Sequence, residues 1–372
     1  LKPVSLLRAS IGTADILGAA MQRLAVVSGH VTAADQPLAP GAGVRPSSVR
    51  AQLVYTGGGA HEVEIADGRL LDISFERDGF TRASLAPEAG GIAAELLAGA
   101  VASPHAVAEL MYPVVERTLK SITGASKVFV FDHIYRDAER LRRETEAGIS
   151  REDKDRATPF LAAPSAILGA HNDYSVRSGI TRPHSLLAPH EPKERCDAVI
   201  GDTSQIEKVG GTGSARVLVV NFWWPLANAD ATPLALCRWR SIRPCDVQTN
   251  RILYKHRADA ETYRVHHSPR HEWVYFSGMT SGEALVFKQA DSSTANSRFS
   301  FHAAFEPPPG VRAPGERVSM EFRSVVLIGD DASVPPDFGC DFIAPHLDVR
   351  SGDADARLSA TGSELLPRSD EW

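Results

Sequence analysis

The sequence predicts a mainly β protein with flanking helices, built as a barrel or jelly roll with the helices packed outside it. From Val49 onward the chain runs in short alternating apolar and polar stretches separated by Gly, Pro and Asp, the period-2 pattern of strands with one face turned inward. Helical periodicity is concentrated before the most regular of these strands, and no internal repeat divides the chain. At 372 residues, 43% hydrophobic and 23% charged, the chain has the composition of a globular protein able to bury a sizeable core.

The elements follow in chain order. Residues 1–48 read as an amphipathic helix and a Pro/Gly-rich connector, "PLAPGAGVRP", with no clear apolar core followed by a cleavage site. "VRAQLVY" is the first strand of a single domain expected over 49–330. "GGIAAELLAGAVASPHAVAELMYPVVERTLKSIT" is helical but expected to break near Pro104 and again at Pro113, because an interior proline removes a backbone donor and crowds the preceding turn. "KVFVFDHIYR" is a buried strand, "RDAERLRRETEAGISREDKDRA" a charged, mobile-looking segment, and Ile180 to Gly213 a loop with helical turns. "ARVLVVNFWWPL", "ETYRVHHSP", "HEWVYFSGM", "EALVFKQAD", "RFSFHAAFE" and "RVSMEFRSVVLIG" complete the strands, and residues 331–372 form a C-terminal extension.

Charge and cysteine usage narrow the function. A net charge of -6 leaves no basic surplus to neutralise phosphates, which argues against nucleic acid and anionic membranes and favours a small-molecule substrate. No run approaches the roughly 18 apolar residues of a membrane span. The four cysteines form no CxxC pair and are too sparse for a disulfide scaffold, so buried or semi-buried thiols in a reducing cytoplasm are expected. Nothing in the sequence fixes an oligomeric state.

The chemistry begins at "HNDYS". In an extended chain residues i and i+2 point to the same side, so His171 and Asp173 can converge on one ion while Asn172 faces away. His302 lies in an alternating strand far downstream, followed by Arg317 and Ser319 in "ERVSMEFR". His-x-Asp, a distant His, then Arg-x-Ser is the order expected of a 2-His-1-carboxylate iron site with an anchor for a dicarboxylate cosubstrate. Each element also has a plainer reading: an HxD that recurs by chance, a satisfied core histidine, an arginine on a barrel rim. On the residues alone, a metal ion, an arginine and a hydrogen-bond network all stay open as partners of the His171–Asp173 pair.

"VFVFDHIYR", "HNDYS", "VNFWWPL", "PLALCRWRS", "HEWVYFSGMTSGEALVFKQADS", "FHAAF" and "ERVSMEFRSVVL" together resemble the hydroxylase/desaturase family typified by the aspergillic-acid pathway enzyme and the cephamycin methoxylation protein CmcJ. The similarity runs from about Val49 to Ile328. It implies a double-stranded β-helix (jelly roll, cupin-like) core and a non-haem Fe(II)/2-oxoglutarate-dependent oxygenase that hydroxylates, desaturates or cyclises a small metabolite with dioxygen. The implied iron ligands are His171, Asp173 and His302, with Arg317 at the family's basic position before the final strand and Arg240 also matching. Trp224 stands where the family usually has arginine, and Arg238 where it usually has aspartate, which suggests a relocated charge in the substrate pocket.

The remaining assignments follow from these. Asn221, Trp224, Arg238 and Arg240 are expected to bind substrate. Ser319 and Tyr174 are expected to support 2-oxoglutarate, while Arg323 shares the strand parity of Arg317 and competes with it as anchor; Arg312 competes more weakly. His266, His267 and His271 are expected in a surface loop rather than at a second metal, His133 as a core or supporting residue bonding the backbone, and Trp223, Trp239 and Trp273 as core and pocket wall. Two other functions fit the same residues: an iron oxidase that uses no 2-oxo acid, with Arg317 and Ser319 gripping the substrate's own carboxylate, and a non-catalytic biosynthetic partner.

Overall fold

Each alternating run of the sequence from Val49 onward becomes a strand. The computed structural model describes residues 46–99, 104–148, 167–186, 216–252, 260–329 and 346–347. The expected N-terminal helix and most of the C-terminal extension lie outside the described residues, as do residues 187–213 of the expected loop. In chain order the strands are β1 (Ser48–Val54), β2 (Ala60–Asp67), β3 (Phe80–Ser84), β4 (Lys127–Asp137), β5 (His171–Asn172), β6 (Arg216–Ala227) and β7 (Leu234–Cys237). They continue with β8 (Val247–Ile252), β9 (Ala260–Val265), β10 (Trp273–Tyr275), β11 (Glu283–Asp291), β12 (His302–Ala304), β13 (Val318–Ile328) and β14 (His346–Leu347). The helices are α1 (Phe75–Asp78), α2 (Glu88–Leu97), α3 (Pro104–Thr123), α4 (Ala138–Glu146) and α5 (Val176–Leu186).

Two sheets form a jelly roll. One has nine strands in the order β1-β2-β10-β7-β12-β5-β9-β8-β14, the other five in the order β3-β11-β6-β13-β4. Along β6 and β13 the even positions, among them Leu218, Phe222, Trp224, Met320, Phe322 and Val326, pack into one core cluster with Val107, Met111, Val115 and Leu119 of α3. The odd positions face the other sheet, so β6 turns Asn221 and Trp223 inward and β13 turns Ser319, Glu321 and Arg323 inward. Both faces are buried, which is why β6 is apolar almost throughout, while β13 carries its polar residues mainly on the inward face.

Two local expectations change. Pro113 lies inside α3 and does not end it; burial of four large α3 side chains in that cluster offsets the roughly 3 kcal/mol cost of an interior proline. The charged segment after β4 begins as α4, because the Asp137 carboxylate caps the Arg140 amide at 2.9 Å and Arg140 pairs with Glu144 one turn on. The short helix α1 starts at the Ser74 cap and stops at Gly79 (φ 92°), where a Cβ would meet the Phe299 carbonyl at 2.9 Å.

Candidate metal centre

β5 and β12 pair antiparallel with His171 directly opposite His302, which brings the two rings to 4.3 Å between centroids, tilted at 50°. His171 Nδ1 lies 2.7 Å from the Gly169 carbonyl oxygen. A carbonyl only accepts, so Nδ1 carries a proton and, in the neutral ring, Nε2 keeps its lone pair. Asp173, two residues on, places Oδ1 3.4 Å from that Nε2. Two acceptors at this separation need a proton or a cation between them. Each of His171, Asp173 and His302 offers one ligand atom, all within 4.8 Å of one another. Burial, reinforced by His171, pushes the His302 imidazole down to about 4, so it is a neutral donor near pH 7. Two imidazoles and one carboxylate on one side of an ion suit non-haem Fe(II). The residues present fit that group.

The carboxylate is held on its far side. Asn221 Nδ2 donates to Asp173 Oδ2 at 2.8 Å, and Arg323 Nε stands 3.5 Å from the same oxygen. The Asp173 amide donates to Gln289 Oε1 at 2.8 Å, which fixes the turn between the ligands. Burial alone would raise the Asp173 carboxyl, but the Arg323 charge beside it holds it well below the usual carboxylate range.

A cavity opens on the three ligands from between the sheets. Arg136 and Glu321 line it beside Arg317, and Trp223, Leu234 and Phe287 supply apolar wall. Glu321 accepts from Arg136 Nε and Nη2 at 3.3 and 3.2 Å and from Arg323 Nη2 at 3.2 Å. Arg317 donates to the Thr232 carbonyl at 2.7 Å and lies over the Trp223 ring. Burial and the Arg136 charge push Arg317 down to about 9.

The other sequence-selected residues divide. Ser319 is fully buried on the cavity-facing side of β13, and its hydroxyl has no hydrogen-bond partner among the described residues. Arg323 is committed to Asp132, Glu321 and Asp173. Tyr174 packs beside Phe131 and Val325 and does not line the cavity. Asn221 is turned inward, but its amide is spent on the Asp173 carboxylate and it does not line the cavity. Trp224 is turned the other way: its parity places it in the helix-side cluster, with Nε1 donating to the Ser281 carbonyl at 2.8 Å. Arg238 is buried on Asp78 at 2.8 Å, and Arg240 is exposed beside Glu272, so neither lines the cavity. The relocated charge of Arg238 is thus answered by an aspartate at the end of α1.

His133 Nδ1 lies 2.8 Å from the Tyr112 hydroxyl, in a supporting position against the helix-side core. His266 and His267 are exposed as expected, but the His271 side chain is enclosed, 3.4 Å from Asp246. Arg136, Glu321 and Gln289 were not singled out from the sequence. Glu321 had a signal, lying between Ser319 and Arg323 on one strand face, and Arg136 pairs across from Ser319; Gln289 had none.

A family model described as oxidoreductase/YMDC permease-like domain matches residues 42–327. The hydroxylase/desaturase CTB9 of Cercospora beticola is 28% identical over 228 residues, covering 58% of this chain and 62% of that relative, less than two thirds of its length. The hydroxylase/desaturase efuI of Hormonema carpetanum is 25% identical over 238 residues, covering 60% of this chain and 72% of the relative. Among solved structures, the iron and alpha-ketoglutarate-dependent endoperoxidase NvfI superposes with a TM-score of 0.57 at 20% identity, over 77% of this chain and 100% of that one, a likeness of fold. The chain belongs to the family described as oxidoreductase/YMDC permease-like domain, and within it is similar to curated hydroxylase/desaturase proteins.

Proposed function

We propose that the protein is a non-haem Fe(II)/2-oxoglutarate-dependent oxygenase that oxidises a C–H bond of a small metabolite. The observation that carries the reading is the meeting of His171, Asp173 and His302 at a cavity that also holds a buried arginine. His171, Asp173 and His302 would hold the iron, and Arg317, with the Ser319 hydroxyl on the same strand face, would take the distal carboxylate of 2-oxoglutarate. Bound there, iron and 2-oxo acid supply dioxygen activation, with the 2-oxo acid consumed to succinate and carbon dioxide.

Charge accounting supports a dianionic cosubstrate. Asp173 and Glu321 balance Arg136 and Arg317 around the cavity, so a divalent ion leaves two positive charges that one dicarboxylate cancels. A planar guanidinium also meets a carboxylate with two parallel hydrogen bonds, which an ammonium cannot do. Trp223, Leu234 and Phe287 then offer the substrate an apolar wall and keep bulk water from the reacting carbon. Among the described residues no helix is long and apolar enough to cross a membrane.

The test is succinate formation by the Fe(II)-loaded protein given 2-oxoglutarate and air. Slow release without substrate is expected, with half-saturation shifted at least about tenfold by Arg317→Lys. Iron binding without any succinate, while dioxygen is consumed with a carboxylic-acid substrate, would favour the oxidase that uses no 2-oxo acid.

A further inference from the structure

We infer that Asn221 is a positioning residue that restricts Asp173 to one-oxygen ligation of the metal, a role that rests on the metal reading above. β6 is apolar on both faces, yet at its midpoint Asn221 is fully buried and turned toward the cavity side, opposite Arg323 on β13 and Phe287 on β11. An amide enclosed in this way must find partners or cost stability. Its Nδ2 finds two, Asp173 Oδ2 at 2.8 Å and Glu321 Oε1 at 3.3 Å.

Both partners are carboxylate oxygens, which decides the orientation of the amide: the reversed rotamer would set a carbonyl oxygen against two anions. Asn221 Oδ1 has no hydrogen-bond partner among the described residues. The side chain thus forgoes a bond on its acceptor end to hold two anions with its donor end. The consequence falls on Asp173. Oδ2 is engaged by Asn221 and faces Arg323, while Oδ1 faces His171 Nε2 at 3.4 Å. The two carboxylate oxygens are made unequal before any ion arrives, so Oδ1 is the ligand and Oδ2 is withheld. A one-oxygen carboxylate leaves one more position on the ion for exogenous ligands than a two-oxygen one. The same amide ties the ligand carboxylate to Glu321, and Glu321 to the cavity arginine Arg136. This gives an asparagine among hydrophobic neighbours a task that valine or leucine could not perform.

The experiment uses Co(II) as a spectroscopic stand-in, added anaerobically to the metal-free full chain, for the unsubstituted protein, Asn221→Ala and Asn221→Leu. The unsubstituted protein is expected to bind one Co(II). Both variants should bind about 10- to 100-fold more weakly, as loss of an outer partner of a ligand does, with weaker visible absorbance as the freed carboxylate adds its second oxygen. Leucine keeps the forked outline of the amide and fills the site that alanine empties, so the same change in both variants assigns the effect to the lost donor. Equal half-saturation and an unchanged spectrum in Asn221→Leu would overturn the inference and leave the metal site standing. Failure of the unsubstituted protein to bind Co(II) would sink the metal reading itself, and the inference with it. A second measurement needs no variant: in the infrared difference spectrum of Co(II) loading, one-oxygen ligation gives widely split carboxylate bands, and narrowly split bands would refute the assignment even if the substituted chains fail to fold.

Discussion

Strand β11 borders two clusters of buried charge that neighbouring residues serve differently. Lys288 closes one of them: its Nζ donates to Glu76 at 2.8 Å, Asp291 at 2.7 Å and the Ser297 carbonyl at 3.1 Å, so all three ammonium protons are used. Arg216 spans the same two carboxylates. Gln289, the next residue, supports the other cluster, in which Asp173 Oδ1 and His171 Nε2 face each other across 3.4 Å beside a cavity. One cluster is finished by its own side chains; in the other, Arg323 and Asn221 serve only Asp173 Oδ2, and Oδ1 is left facing the His171 lone pair. Degree of completion, more than burial or charge count, separates structural ionic clusters from binding sites.

The largest stability effect is expected where the cluster is closed. Asp291→Ala leaves two buried cations, Lys288 and Arg216, sharing the single half-exposed carboxylate of Glu76, and this excess buried charge should cost about 3–5 kcal/mol in denaturant unfolding. Asp173→Ala leaves Arg323 its pairs with Asp132 and Glu321, so it should cost the metal-free protein far less. Equal losses for the two variants would erase the distinction.

Acid should separate the clusters next. His302 takes up its proton near 4 when folded but near 6.5 when unfolded, so between those values the unfolded chain binds more protons and stability falls as pH falls, by up to about 3 kcal/mol. In the closed cluster, burial would raise Glu76, but Arg216 and Lys288 hold it below its ordinary value, so its contribution is full above about 4.5 and is lost only below that. Metal-free unfolding midpoints between pH 4 and 6.5 should therefore slope in the unsubstituted protein and flatten in His302→Gln.

The two arginines of β13 sharpen the comparison within the open cluster. Arg317→Lys should weaken 2-oxoglutarate binding roughly ten- to a hundredfold, since hydrogen bonds to a charged group are worth about 1.5–3 kcal/mol. Arg323→Lys should lower stability with little change in that binding, because its guanidinium serves Asp132, Glu321 and Asp173. A titration with the larger shift in Arg323→Lys would exchange the two roles.

Much of the centre was legible in the sequence because its spacing obeys strand geometry. His171 and Asp173 share a side by period 2, and Arg317 and Ser319 do so in turn. What could not be read was which side faces the cavity. "LVVNFWW" is apolar on both faces, so Trp223 and Trp224 look equivalent until the helices cover one of them. The same ambiguity hid Asn221 on the metal carboxylate and sent Arg238 to a substrate pocket when its partner is Asp78, distant in sequence. Strands β2, β3, β7 and β8 were missed because their apolar alternation is short or broken by charge. The smallest expected effect lies here: Trp224→Phe should cost about 1 kcal/mol for the bond to Ser281 and leave 2-oxoglutarate binding unchanged.

Iron content decides the central claim most directly. The metal-free protein would be dialysed anaerobically against Fe(II) and assayed for bound iron, beside His171→Ala, Asp173→Ala and His302→Ala variants with unchanged circular dichroism. One iron per chain in the unsubstituted protein and none in the three variants is the expected result. Full iron in Asp173→Ala, or no iron in a folded unsubstituted chain, would contradict it and return the His171–Asp173 pair to a buried salt bridge.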